Sequence, residues 1–310
     1  MRVDVLRIGT RGSRLALRQT EMIANRIKDR YPKLSIEIVP IKTQGDRMQN
    51  ISLVKIGGKG VFVKEIEEAL LSGDIHCAVH SMKDVPTEIP DGLNIQIIAQ
   101  REDPRDVLIS RDNKKLESLP RGARIGTGSL RRGMQLLNCL PDCEIVAIRG
   151  NLDTRIKKIS TEELDGVILA AAGLKRMGWH DRVSQYIPVE LMIPAAGQGA
   201  VGVETREEDN DVGELLAFIN HEDTMTEVSS ERAFLQHLGG GCQVPIAAFA
   251  RKTGEFLILK GVVGTIDGRR MIFDEVKGSC DDWKELGKSM AENILSKGGR
   301  AILAEVYKDI

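Results

Sequence analysis

The sequence predicts two α/β lobes followed by a smaller α+β domain, and three observations lead there. Short apolar runs at 75–79, 93–99, 145–148, 166–171 and 200–203 alternate with segments of helical character, the pattern of sheets covered on both faces. A strand–turn–helix signature occurs twice, as Leu6-Arg7-Ile8-Gly9-Thr10 before Arg11-Gly12-Ser13 and as Ala123-Arg124-Ile125-Gly126-Thr127 before Gly128-Ser129. Beyond about residue 218 the character changes, with two strands set between helices. At 310 residues and 42% hydrophobic content, the chain is long enough for more than one core. The expected boundaries are 1–99 with 200–217 for the first lobe, 100–199 for the second and 218–310 for the third domain.

In chain order, 6–10 reads as a strand, 11–13 as a turn and 14–30 as a helix, and the same sequence of elements repeats at 123–127, 128–129 and 130–137. Both junctions place a hydroxyl and arginines where early helical N–H groups lack internal acceptors, an arrangement suited to carboxylate or phosphate. Ordinary connection chemistry with solvated arginines is the alternative. Lys55-Ile56-Gly57-Gly58-Lys59-Gly60 reads as a flexible basic covering loop and lacks the Gly-Lys-Ser/Thr ending of a phosphate loop. His76, Cys77 and His80 form the one compact His/Cys group. In a strand, His76 and His80 share a face while Cys77 points away, so hydrogen-bonded histidines are favoured over a metal site, and no metal is expected.

Ser81-Met82-Lys83-Asp84-Val85-Pro86 follows. Asp84 is suited to stabilising a developing cation or exchanging a proton, and Lys83 to binding a carboxylate; a surface salt bridge is the plainer reading. The polar stretch Arg101–Asp106 suits a crossover between lobes, as does Pro194-Ala195-Ala196-Gly197-Gln198-Gly199. Arg131, Arg132, Arg149, Arg155 and Arg176 cluster near expected cleft edges, and their planar guanidinium groups favour a ligand with several carboxylates. In the last domain, 229–238 and 282–295 read as helices and 256–263 and 271–276 as strands, with Trp283, Leu286, Met290 and Ile294 on one core-facing stripe. Gly239-Gly240-Gly241-Cys242-Gln243-Val244-Pro245 puts little bulk before a thiol. Cys242 is compatible with a nucleophile, an attachment point, a metal ligand or a small buried residue.

Composition narrows the partners. Lys and Arg number 44 against 45 Asp and Glu, a net charge of −1, which gives no global attraction to nucleic acid or an anionic membrane. Aromatic content of 4% gives little material for base stacking. No stretch approaches the roughly 20 apolar residues of a membrane span, and no secretory signal opens the chain, so a cytoplasmic location is expected. Five dispersed cysteines do not resemble a disulfide framework. No extended apolar repeat compels assembly, and no obligate protein partner is inferred.

The ordered set of motifs resembles the porphobilinogen deaminase (hydroxymethylbilane synthase) family. It comprises Ile8–Ser13, Val79–Pro86, Arg101–Asp106, Gly126–Ser129, Arg131-Arg132, Arg149–Arg155, Pro194–Gly199 and Gly241–Pro245, and it spans nearly the whole chain. The resemblance implies two lobes similar to those of periplasmic binding proteins, followed by a smaller α+β domain. It implies a transferase that deaminates and condenses four porphobilinogen molecules to hydroxymethylbilane with release of ammonia. It further implies a dipyrromethane cofactor held by a thioether to Cys242, with Ser81, Lys83, Asp84, Thr127, Ser129, Arg131 and Arg132 as its contacts. Asp84 is the implied catalytic residue. Arg11, Ser13, Gln19, Arg149, Arg155, Arg176 and Gln198 are implied contacts for porphobilinogen and the growing linear pyrrole chain.

Overall fold

The computed structural model describes residues 4–47, 63–241 and 244–309. The basic loop at 55–60 and both Cys242 and Gln243 lie outside the described residues. The chain divides into two compact units, the first drawn from 1–49, 58–102 and 200–225, the second from 103–199 and 226–310 together with 50–57.

The first unit holds a five-stranded sheet in the order β2-β1-β3-β10-β4. Strand β1 (Val5–Arg11) runs parallel to β2 (Ser35–Ile41) and β3 (Cys77–Ser81). The returning strand β10 (Val201–Arg206) lies antiparallel between β3 and β4 (Leu93–Ile98). Helix α1 (Arg14–Arg30) covers one face through Ile23, Ala24 and Ile27, which pack with Leu6, Ile8, Cys77 and Val79. Helix α2 (Lys64–Leu71) covers the other through Ile66 and Leu70, packed on Ile75, Ala78 and Leu93. The outgoing and returning segments are tied at the sheet edge: Ile98 N donates to Asn220 Oδ1 at 3.0 Å and Arg101 N to Thr224 Oγ1 at 3.1 Å.

In the second unit, another five-stranded sheet has the order β7-β6-β8-β5-β9. Strand β6 (Arg124–Gly126) is parallel to β7 (Glu144–Val146) and β8 (Gly166–Ala170), while β5 (Asp106–Ser110) is antiparallel to β8 and to β9 (Gln185–Tyr186). Its helices are α3 (Leu130–Cys139), α4 (Leu152–Thr161) and α5 (Ala171–Arg176). The polar stretch read as a crossover at 101–106 thus gives way at Asp106, where β5 begins.

The same unit carries a three-stranded antiparallel sheet of β11 (Ile246–Thr253), β12 (Phe256–Gly264) and β13 (Met271–Ser279). Chain connectivity reaches it through α6 (Asn210–Leu216) of the first unit and α7 (Glu222–His237). Helix α7 starts seven residues before the expected 229 and ends close to the expected point. Met290 and Ile294 of α8 (Trp283–Ile294) are buried, with Trp283 and Leu286 packed against the same cluster, as the helical stripe required. The final helix α9 (Arg300–Asp309) adds Ile302, Leu303 and Val306 to that core. Glu231, fully buried on α7, accepts from Gly197 N at 2.6 Å and Ala250 N at 2.7 Å, so one carboxylate ties the 194–199 loop to β11. No helix among the described residues is long and apolar enough to cross a membrane.

Candidate functional site

In the first unit, six of the residues singled out from sequence line one open cleft of about 500 Å³: Arg11, Ser13, Gln19, Ser81, Lys83 and Asp84. The first three come from the β1–α1 corner. Ser13 is extended at φ −70° and ψ 145° and its Oγ accepts from Ala16 N at 3.3 Å, the capping role a serine fills before a helix. Arg11 ends β1 beside that cap, and the buried Gln19 lies on the first turns of α1.

The other three come from the end of β3 and the 3-10 turn Met82–Asp84. Met82 N donates to Ala200 O at 3.1 Å, and the buried Met82 side chain packs over Gly202 of β10, where any Cβ would collide with its sulfur. Val85 returns to extended backbone at φ −85° and ψ 127°, as a residue before proline must. With Met82 fixed inward, half-buried Lys83 and Asp84 belong to the cleft lining. Val63, Val79 and Val85 supply an apolar part of the same wall.

The histidines next to this turn are hydrogen-bonded, as their strand spacing favoured. His76 Nδ1 accepts from Arg7 N at 3.0 Å, and its ring is shifted down by burial and by Arg7. His80 Nε2 lies 2.9 Å from Glu204 Oε2, both side chains being buried.

The second unit gathers the other set. Ser129 caps α3, its Oγ accepting from Arg132 N at 3.4 Å, while Ser129 N donates to Thr127 Oγ1 at 3.2 Å. Gly128 between them passes so close to Ile148 O that a Cβ would overlap it. Arg131 and Arg132, expected near cleft edges, are 5% exposed and engaged on one carboxylate. Asp106 Oδ2 receives Arg131 Nη1 at 2.7 Å, and Oδ1 receives Arg132 Nε at 2.9 Å and Nη2 at 2.7 Å. Arg131 Nη1 also donates to Ile193 O at 2.7 Å, and Arg132 Nη1 to Ile168 O at 3.1 Å. Gln198 Nε2 completes the group, donating to Asp106 Oδ1 at 3.0 Å and Pro104 O at 2.7 Å. Burial opposes ionisation of Asp106, but the two guanidinium charges and their hydrogen bonds outweigh it and hold the carboxyl well below the usual range. Two cations on one anion leave the cluster with an excess positive charge.

Arg149 follows β7 and is half-buried, its guanidinium shifted down by burial. Arg155, in the first turns of α4, donates from Nε to Gly150 O at 2.8 Å. Gly150 adopts φ +111°, a left-handed conformation that glycine alone takes without strain, and so turns its carbonyl to that guanidinium. Arg176 closes α5 and donates from Nη2 to Gly199 O at 2.6 Å.

Around Cys242 the flanks are fixed. Gly239 takes φ +64° after α7 and its carbonyl accepts from Tyr307 Oη at 3.0 Å. Gly240 packs too closely on Ile246 for a side chain, Gly241 has open space where a Cβ would stand, and Val244 is buried. Three described cysteines are not activated thiols: burial pushes Cys77 up to about 12 and Cys143 up to about 11, and raises Cys139. Cys77 is fully enclosed under α1, a packing residue.

Three buried acids escaped the sequence reading: Asp106, Glu204 and Glu67. Their signal was present, since Asp106 opens the apolar strand Val107-Leu108-Ile109 and Glu204 ends the run Val201-Gly202-Val203. An acid inside a buried strand requires a partner.

Comparison with known proteins finds two family matches in succession along the chain. Residues 6–214 match a family described as "Porphobilinogen deaminase, dipyromethane cofactor binding domain", and residues 225–296 match "Porphobilinogen deaminase, C-terminal domain". A porphobilinogen deaminase of Syntrophus aciditrophicus is 55% identical over 298 residues, covering 96% of this chain and 97% of the relative. That of Geobacter metallireducens is 52% identical over 303 residues, covering 98% and 95%. Among solved structures, the aliphatic sulphonate binding protein SsuA of Escherichia coli aligns at 15% identity and a TM-score of 0.41, covering 75% of this chain and 70% of that one.

Proposed function

Because the chain belongs to the porphobilinogen deaminase family, we propose that its first-unit cleft is where porphobilinogen is deaminated and joined, with Asp84 as the catalytic acid–base group and Cys242 as the cofactor anchor. The enzyme is a transferase that condenses four porphobilinogen molecules to hydroxymethylbilane and releases four ammonia molecules, and it uses a dipyrromethane cofactor. The observation that carries the site assignment is the convergence of Arg11, Ser13, Gln19, Ser81, Lys83 and Asp84 on one cleft.

The donor set fits a cofactor bearing acetate and propionate groups. Ser81 and Lys83 in the first unit, and Thr127, Ser129, Arg131 and Arg132 in the second, offer hydroxyls and cations to carboxylates, with the excess charge of the Asp106 cluster favouring an added anion. When bound, dipyrromethane supplies the pyrrole carbon on which the chain is extended. Arg11 and Ser13 hold the carboxylates of incoming porphobilinogen at the α1 N-terminus, with Gln19 beside them. Asp84 keeps its negative charge next to the pyrrole N–H groups, stabilising the cation left as ammonia departs. It also accepts the proton released when the new ring regains aromaticity. Arg149 and Arg155 steady ring carboxylates during condensation, Arg176 guides the lengthening chain and Gln198 braces the Asp106 cluster.

Cys242 retains the product during growth, and its attachment is favoured by the unreactive state of Cys77, Cys139 and Cys143. The fine architecture we propose is a pair of lobes of periplasmic-binding-protein type at 1–99 with 200–217 and at 100–199, followed by an α+β domain at 218–310. Free thiols at Cys77, Cys139 and Cys143 fit a reducing, cytoplasmic setting. Intact-mass measurement with peptide fragmentation tests the anchor: an adduct with the mass of two linked pyrroles on the Cys242 peptide is expected. A fully active enzyme without it would overturn the assignment.

A further inference from the structure

A second group of ionisable side chains stands behind the cleft wall, and the condensation chemistry leaves it unused. In the β3–β10 ladder, Gly202 faces His80 and Glu204 faces Ala78, so these four share one side of the sheet. Helix α2 covers that side, its Ile66 and Leu70 packing with Ala78, and Glu67 lies between them in sequence. Glu67, His80 and Glu204 are all buried. Glu204 Oε2 is 2.9 Å from His80 Nε2, whereas the buried Oε1 has no hydrogen-bond partner among the described residues. His80 also lines the cleft.

Two buried acids therefore lie within electrostatic reach of one imidazole. Burial, then the Glu204 charge, pushes the Glu67 carboxyl up to about 7 against the opposing pull of His80, with Glu68 adding to the rise. The neighbouring charged groups are few. On α2 they are Lys64, Glu65 and Glu68, with Lys64 set 4.0 Å from Glu68 on the exposed side. Strand β1 contributes Arg7 and Arg11, on the face of Gly9, which pairs with Ala78. Arg7 donates to Gly73 O at 3.0 Å. On β10, Arg206 donates to Leu70 O, Ile75 O and Asp209. Strand β4 carries no ionisable side chain.

We propose that Glu67 is a positioning residue for substrate affinity: when ionised it adds a buried negative charge behind the cleft wall and repels the carboxylates of porphobilinogen, and when protonated it relieves that repulsion. The proposal rests on the first-unit cleft being the substrate site. It makes Glu67 a determinant of KM rather than of the chemical step, and it ties affinity to proton uptake at neutral pH.

Steady-state rates of the holoenzyme with porphobilinogen from about pH 6 to about pH 8.5 test it in the unmodified enzyme and in Glu67→Gln. At the acid end the two KM values agree. At the alkaline end the variant's KM is about fivefold lower, the scale of one charge acting across a partly buried wall, and kcat is the same in both. The ratio removes any titration of the substrate itself. A ratio that stays constant with pH, or a loss confined to kcat, overturns the proposal. Arg11→Gln separates the premise from it: a raised KM at every pH upholds the cleft as substrate site, and an unchanged KM rejects that site independently of Glu67. Should Glu67→Gln fail to fold, carbon-detected titration of the unmodified enzyme decides, since a glutamate titrating near neutrality is required and an all-acidic set of glutamate midpoints is contradictory.

Discussion

The two five-stranded sheets are built alike and used differently. Each sets a parallel trio beside antiparallel strands, in the orders β2-β1-β3-β10-β4 and β7-β6-β8-β5-β9, and each opens with a strand leading to a serine-capped helix. Two and three residues past the cap, however, the first has Leu15 and Ala16 where the second has Arg131 and Arg132. After the third strand, the first turns through Met82-Lys83-Asp84 and the second runs into Ala171-Ala172-Gly173, which has no ionisable group. Even their buried acids differ, because Asp106 is held between two guanidinium groups while Glu204 pairs with one histidine and Glu67 lies buried nearby. One scaffold thus carries an acid in the cleft at one corner and buried cations at the other.

The comparison breaks most readily at Asp106. Asp106→Ala leaves two buried guanidinium groups without their anion, and a loss of about 3–5 kcal/mol is expected in urea unfolding. No substitution of an exposed acid such as Asp112 should approach that cost. A smaller effect separates the buried acids by pH. Asp106 has a depressed carboxyl, so its contribution is intact above the ordinary aspartate range and is lost only on strong acidification. Glu67 is raised from 4.5 to about 7, so its contribution is present below 4.5 and is lost as pH rises toward 7. Thermal unfolding of Glu67→Gln against the parent should therefore show a gap that opens in the variant's favour between those values. The smallest effect sharpens the likeness: Ser13→Ala and Ser129→Ala should each cost about 1 kcal/mol, because both remove the same cap. Unequal costs would mean that one serine holds more than its helix.

Much of this was legible in the chain because local chemistry decides it. The Gly-Thr signatures with Ser13 and Ser129 marked both corners, and the spacing of Trp283, Leu286, Met290 and Ile294 marked the face of α8. The convergence of Arg11, Ser13 and Gln19 with Ser81, Lys83 and Asp84 followed from family motifs, whereas the physical cause, Met82 seated over Gly202, depends on β10 returning from 120 residues away in sequence. The partner of Arg131 and Arg132 was not legible because nothing nearby announces Asp106, which reaches them from 25 and 26 residues upstream. Strands β2 and β11 went unread for related reasons. In β2 every residue is at least partly exposed, giving weak alternation, and in β11 the small residues Ala247, Ala248 and Ala250 pack a core without advertising a strand.

The division of labour between the two corners is tested most directly by Asp84→Asn, with hydroxymethylbilane formation and cofactor mass measured on the same preparation. The amide keeps the shape of the side chain and removes its charge, so turnover should fall by about 100-fold or more while the dipyrromethane mass stays at full occupancy. Near-normal turnover at full occupancy would contradict the account, placing the proton and charge chemistry elsewhere than the turn that follows β3.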